Sequence, residues 1–210
     1  MKKQGILIVV SGFSGAGKGT VMKELLKKYD NYALSISATS RKPREGEVEG
    51  REYFFKTKEE FEKMIAKDEL IEYARYVENY YGTPRIYVEE QLAAGKDVIL
   101  EIEIQGALQV KKKFPETLLL FVTPPNAKIL KERLVGRGTE TMDVIESRMN
   151  RATEEALYMS EYDYLIINDE LQACVDEMHH IIQGEHNRCY RNQSMIAQIT
   201  NELKANAKGE

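Results

Sequence analysis

The strongest constraint on this chain lies within its first thirty residues. Ile6-Leu7-Ile8-Val9-Val10 is a continuous apolar run, and Gly12-Phe13-Ser14-Gly15-Ala16-Gly17-Lys18-Gly19-Thr20 is a glycine-rich turn. Val21, Met22, Leu25, Leu26 and Tyr29 then recur at helical spacing. Apolar residues in unbroken succession suit a strand buried on both faces of a parallel sheet. The stripe that follows suits a helix with one buried face. Between them, glycines let successive backbone N–H groups converge on an anion, the helix N-terminus adds partial positive charge, and Lys18 reaches outer phosphates. The turn matches the GxxxxGK phosphate-loop pattern, except that Gly19 stands where a hydroxyl residue ordinarily follows the lysine. The hydroxyl comes one place later, at Thr20, so a magnesium ion there is expected to meet the chain through water. Residues 12–20 therefore predict a bound nucleoside triphosphate. They leave the reaction open, because GTPases, motors and small-molecule kinases share such loops.

Further buried strands are predicted at Asp97–Ile104, Leu118–Val122 and Tyr164–Ile167, with helices near Gln105–Lys113, Ala127–Leu134 and Leu171–Glu185. This alternation reads as an α/β, doubly wound parallel sheet of the phosphate-loop NTPase type. Two stretches interrupt it. Residues 37–87 are rich in Arg, Lys, Glu and Tyr and read as an inserted, partly antiparallel subdomain with a helix near Lys58–Lys67. Residues 136–158, opening with Gly136-Arg137-Gly138-Thr139-Glu140-Thr141, read as a mobile lid. The expected division is a core over 1–36, 88–135 and 159–189, with that insert and lid. A polar tail over 190–210, helical or frayed, is given no function.

The 210 residues fit one domain carrying inserts, and 42 % hydrophobic residues supply a core. Thirty Lys and Arg against 34 Asp and Glu give a net charge of −4. That balance argues against coating nucleic acid and leaves room for a local basic pocket. Cys174 and Cys189 form no metal or disulfide pattern. No apolar run approaches the roughly 20 residues of a membrane span, and the N-terminal run is too short for a signal-peptide core. The expectation is a soluble cytoplasmic protein with no membrane, nucleic-acid or obligate protein partner, its oligomeric state left open.

A second anion site is predicted at Arg41-Lys42-Pro43-Arg44. The arginine fork matches two phosphate oxygens and keeps its charge, and Pro43 disfavours helix at Lys42. Hydroxyls at Tyr53 and Tyr81 would complete it. Taken alone, two arginines three apart are as readily a solvated loop. Leu100-Glu101-Ile102-Glu103 ends a predicted buried strand, where open α/β sheets bind ligands, and alternation would aim both acids to one face. Arg133, Arg137 and Arg148 lie in the lid and its flanking helices, as cations that arrive on closure would. His179, His180 and His186 read as ordinary surface residues of the last long helix.

The segments GFSGAGKGT, SATSRKPREGE, REYFF, ENYYGT, LEIEIQGA, GRGTET and YDYLIIND follow one another in this order. On these pieces the chain resembles the guanylate kinases from about residue 4 to residue 186. The resemblance implies transfer of the γ-phosphoryl of ATP to GMP, giving ADP and GDP with Mg²⁺. It implies ATP on residues 12–20 and the GMP phosphate on Arg41, Arg44, Tyr53 and Tyr81. Ser37 and Thr83 would donate to guanine O6, and Glu72 would accept from N1–H and the exocyclic amine. A carboxylate there suits two guanine donors and repels the lone pair of adenine N1. Glu101 would be a further base contact, with Glu103 and Thr20 near the metal through water. Lys18, Arg137 and Arg148 would act on the transferring phosphoryl, Arg133 would face the adenine side, and Asn168 would lie near the nucleotide. In this family the positions of Glu101 and Glu103 are often both Asp, one methylene shorter. No residue is an evident reader of the 2′-hydroxyl, which leaves deoxy-GMP open as an acceptor.

Three rivals compete. A kinase for AMP, UMP or dTMP is disfavoured by Glu72 with Ser37 and Thr83. A guanylate-kinase-like module without catalysis is disfavoured by the intact phosphate loop and arginines. A GTPase switch lacks an NKxD-type motif.

Overall fold

The computed structural model describes residues 4–76, 78–136, 138 and 141–206. In chain order, β1 (Leu7–Gly12) leads through the glycine-rich turn into α1 (Lys18–Lys28) and β2 (Tyr32–Leu34). A smaller unit follows, built from β3 (Ala38–Thr39), β4 (Phe54–Phe55), α2 (Lys58–Ala66), β5 (Leu70–Tyr76) and β6 (Asn79–Pro84). The chain returns through α3 (Arg85–Ala93), β7 (Asp97–Glu101), α4 (Ile104–Lys113), β8 (Leu118–Thr123) and α5 (Ala127–Gly136). It continues with α6 (Met142–Ala156), β9 (Tyr164–Ile167), α7 (Leu171–Glu185) and α8 (Gln193–Asn206). The main sheet is parallel throughout, in the order β2-β7-β1-β8-β9. The small sheet runs β4-β3-β6-β5, with β3 and β4 parallel and the other pairs antiparallel. The α/β class with a parallel core is as the sequence predicts.

The unbroken apolar runs are explained by two cores, one on each face of the main sheet. Ile8 and Val10 of β1 and Leu118, Leu120 and Val122 of β8 face one cluster, beneath α1 and α7. Val9, Leu119, Val98 and Leu100 face the other, beneath α3 and α4. Along β1, and from Leu118 to Leu120 in β8, successive residues enter opposite cores, so both faces of these strands are apolar there. In the small sheet Phe61 of α2 is fully buried against Ala38 and Leu70. The helix carrying it opens with a reciprocal cap between Thr57 and Glu60.

Two expectations need correction. The strand predicted over Asp97–Ile104 ends at Glu101, because Glu103, at φ −73° and ψ 161°, is the N-cap of α4. Glu101 and Glu103 therefore do not share a strand face. The histidines are not all surface residues. His186 is buried, and its Nε2 donates to Asp97 Oδ1 at 2.8 Å. His179 stacks on Tyr29 with ring centroids 3.6 Å apart, and its Nδ1 meets the Tyr32 hydroxyl at 2.7 Å. Only His180 of the three is exposed. Within the tail, Gln193–Asn206 is helical, as α8, with Met195, Ile196, Ile199 and Leu203 exposed.

Asp97 is a junction at the starts of two core strands. Its Oδ1 also accepts from the backbone N–H of Ile6 at 2.9 Å, and its Oδ2 accepts from Asn31 at 3.2 Å. Replacing Asp97 with Ala leaves several buried donors unpaired, which costs about 1–3 kcal/mol each before relaxation. Asp97→Ala is expected to lower stability by about 2–4 kcal/mol and His186→Ala by less. The double variant should fall short of the sum in urea unfolding, because both changes break one network.

Candidate active site

The phosphate loop is shaped as much by what lies behind it as by its own residues. Gly17 caps α1 at φ 89°, in the left-handed region, and a Cβ there would lie 2.5 Å from Asn168 Nδ2. That amide is in place for a reason. Asn168, buried just past β9, donates through Nδ2 to Ala16 O at 2.8 Å, and its own N–H donates to Thr123 O at 2.8 Å. Gly12 comes so close to β8 that a Cβ would lie 2.0 Å from Val122 O. Lys18 Nζ donates to Gly12 O at 2.6 Å and to Phe13 O at 3.2 Å, fixing the ammonium over the loop. The first turn of α1 carries no acid and no side-chain cap, so its positive end is left to an anion. Gly19 is exposed, with no atom within 4 Å of where its Cβ would be, and Thr20 is exposed beside it. Glycine at position 19 is therefore not demanded by packing.

The four residues predicted for a second phosphate come together at the edge of the small sheet. The Arg41 guanidinium lies over the Tyr53 ring at 5.4 Å, and the Tyr53 and Tyr81 ring centroids are 6.0 Å apart. Burial raises the Tyr53 hydroxyl pKa, while the charges of Arg41 and Arg44 oppose that rise. The sequence reading missed Glu47. Its Oε1 accepts from Arg41 Nη2 at 2.8 Å and its Oε2 from the Arg44 N–H at 2.7 Å. These two bonds hold the Glu47 carboxyl below its usual range, the Arg41 contact being the larger cause. A carboxylate three residues after Arg44 in so arginine-rich a turn was the available signal.

On the same sheet, Glu72 is buried and its Oε1 accepts from Thr83 Oγ1 at 2.8 Å. Burial raises its carboxyl pKa, and the hydrogen bonds from Thr83 work against that rise. Ser37, half-buried, immediately precedes β3, and the antiparallel pairing of Ala38 with Gly82 brings it level with Thr83. Glu72, Thr83 and Ser37 are thus neighbours although they stand far apart in the chain. Glu101, exposed at the end of β7, pairs in register with Val10 just before the phosphate loop. Desolvation raises its carboxyl pKa, with Lys18 pulling it down.

Helix α6 lies against this end of the core through two arginines on one face. Arg148 Nη1 donates to Ser14 Oγ in the phosphate loop. Arg151, which the sequence reading missed, donates through Nη2 to Glu103 Oε2 at 2.8 Å and through Nε to Glu155 at 3.0 Å. Its spacing of three from Arg148 on a helix was the signal. Arg133 is half-buried on α5 and within electrostatic reach of Cys174 on α7. Arg137 lies outside the described residues. Among the described residues no group of three or more His, Cys, Asp or Glu could hold a metal alone. Among them, too, no helix is long and apolar enough to cross a membrane.

The family model described as Guanylate kinase matches residues 4–185. The chain belongs to the guanylate kinase family. It is 53 % identical over 202 residues to the guanylate kinase of Bacillus anthracis, covering 96 % of this chain and 98 % of that one. It is 48 % identical over 204 residues to the guanylate kinase of Lactococcus lactis subsp. lactis, covering 97 % and 100 %. The crystal structure of guanylate kinase from Anaplasma phagocytophilum superposes with a TM-score of 0.71 at 30 % identity, covering 90 % of each chain.

Asn168 braces the glycine-rich loop at Ala16, so its removal offers a way to separate the two predicted anion sites. Asn168→Ala is expected to raise KM for ATP about tenfold and to leave KM for GMP unchanged in steady-state kinetics. An unpaired buried carbonyl costs about 1–3 kcal/mol, and here it belongs to the loop itself.

Proposed function

We propose the following roles for this chain's residues in the guanylate kinase reaction, in which the γ-phosphoryl of ATP passes to GMP and gives ADP and GDP. Residues 12–20 hold the ATP phosphates on backbone N–H groups and on the Lys18 ammonium. Arg41, Arg44, Tyr53 and Tyr81 hold the GMP phosphate. Ser37 and Thr83 donate to guanine O6, Glu72 accepts from N1–H and the 2-amino group, and Glu101 is a further polar contact to the base. The observation that carries the reading is the buried Glu72–Thr83 pair on the sheet that bears the Arg41–Tyr53–Tyr81 cluster. A phosphate site beside a buried acceptor flanked by a hydroxyl matches a nucleotide whose base edge offers two donors next to one acceptor.

The reaction asks for alignment and charge neutralisation rather than a covalent intermediate. Arg148, already on the phosphate loop through Ser14, and Arg137 place positive charge over the transferring phosphoryl. Closure of the 136–158 segment excludes water, which would otherwise hydrolyse ATP. The residues present fit Mg²⁺ carried in by ATP. Such an ion keeps several waters and takes phosphate oxygens with one or two protein oxygens, for which Thr20 and Glu103 are both exposed. When bound there, the ion would supply charge neutralisation at the triphosphate.

Coupled ADP formation from ATP and Mg²⁺ is expected with GMP and not with AMP, UMP or dTMP. Equal turnover of AMP would overturn the base assignment. Glu72→Gln, which swaps one acceptor oxygen for a donor, should lower kcat/KM for GMP at least about 100-fold. Arg148→Ala should lower kcat about 10³-fold with little change in either KM. Recognition requires ionised Glu72, whose pKa is raised above its ordinary value. Affinity for GMP is therefore full above that raised pKa and lost as pH falls through it, at a higher pH than for an exposed glutamate. KM for ATP should not follow, and parallel pH profiles for the two substrates test this.

A further inference from the structure

Gly106 stands in the first turn of α4, within the segment Ile104-Gln105-Gly106-Ala107, and is buried. Its backbone gives no reason for glycine. It is absent from the glycines of positive φ, and in an ordinary helical conformation alanine is the better residue. The reason lies in the space beside it. A Cβ at Gly106 would lie 3.0 Å from Glu72 Oε2, 3.2 Å from Ile102 Cδ1 and 3.5 Å from Glu72 Cδ. Gly82 offers a contrast, because its Cβ would strike backbone, the Glu72 carbonyl at 2.7 Å. At Gly106 the obstacle is the carboxylate itself. That carboxylate can give way only slightly, since Oε1 is tied to Thr83 and the side chain is buried.

We propose that Gly106 is a specificity-determining position that seats the Glu72 carboxylate against α4. Without a Cβ at 106, Oε2 settles toward the helix while Oε1 stays on Thr83, and both oxygens take a fixed pitch toward the base. The first turn of α4 has no side-chain cap, so its partial positive charge faces this region and favours the ionised acid. A methyl group at 106 tilts the carboxylate by a few tenths of an ångström. A two-donor edge detects such a tilt, because both hydrogen bonds depend on one plane. Gly106 acts through Glu72 and is a positioning residue. The inference rests on Glu72 being the guanine acceptor.

The test is a double-substitution cycle of Gly106→Ala and Glu72→Asp, read with GMP, with inosine monophosphate, which lacks the 2-amino group, and with ATP. Gly106→Ala should keep or raise the melting temperature and leave KM for ATP unchanged. It should lower kcat/KM for GMP about tenfold and that for inosine monophosphate less, so that discrimination between them falls. Glu72→Asp withdraws the carboxylate by one methylene, so adding Gly106→Ala to it should cost less than about twofold. Equal losses in both backgrounds, equal losses for both acceptors, or no loss at all would overturn the proposal. If Gly106→Ala does not fold, recovery of folding in the double variant supports it and failure there overturns it. If Glu72→Asp alone leaves GMP turnover at its starting value, the guanine-acceptor reading falls instead. Additive effects with an impaired Glu72→Asp would remove only the role of Gly106.

Discussion

The shape of the glycine-rich loop depends on disposing of its carbonyl groups. A loop that turns its N–H groups outward to an anion turns carbonyls inward, and each buried carbonyl needs a donor. Here Lys18 serves Gly12 and Phe13, and Asn168 serves Ala16. Asn168 is itself fixed by a backbone bond to Thr123 at the end of β8. The loop is therefore tied to the two strands that lie beyond β1 in the sheet order, β8 and β9. Two buried cores hold those strands in register, and through them the hydrophobic packing of the whole main sheet sets the shape of an anion cradle.

The small sheet solves a different problem. It must place a charged carboxylate in a dry environment and keep it ionised. Burial works against Glu72, while Thr83 supports it through a hydrogen bond across the β5–β6 pair. The neighbouring arginine cluster follows the same pattern, with Glu47 gripping both the Arg41 side chain and the Arg44 backbone. Arg41 and Glu72 are each held by a second polar group that fixes the direction of the side chain, and a group fixed in advance is bound without the cost of ordering it.

How much of this was legible in the sequence follows from the range of each interaction. The phosphate loop was readable because strand, turn and helix are contiguous and each leaves a local pattern. The parallel core was readable because two-sided burial forbids polar residues over whole runs such as Leu118–Val122. Strand β7 was overextended because Ile102 and Ile104 continue an apolar alternation, and nothing local announces that Glu103 caps a helix. His186 was misjudged because its partner Asp97 lies 89 residues away, and no helical spacing reveals such a pair. The grouping of Ser37, Glu72 and Thr83 became visible only through likeness to a family, since the three meet through sheet register alone. Arg151 and Glu47 were missed because each looks like an ordinary surface charge until its partner is placed.

The stretch from Arg44 to Phe55 contains almost no regular structure, yet three of its four acids are held in place. Glu47 accepts from the Arg44 amide, Glu52 from the Val48 amide and Glu49 from the Phe55 amide. Glu47 and Glu52 also pair with Arg41 and Arg51. Three negative charges beside the Arg41–Tyr53–Tyr81 cluster are thus turned toward amide dipoles and guanidinium groups. A chain of net charge −4 can in this way present an attractive potential to a second anion. Which way these acids point, more than the net charge of the chain, decides what a nearby anion meets.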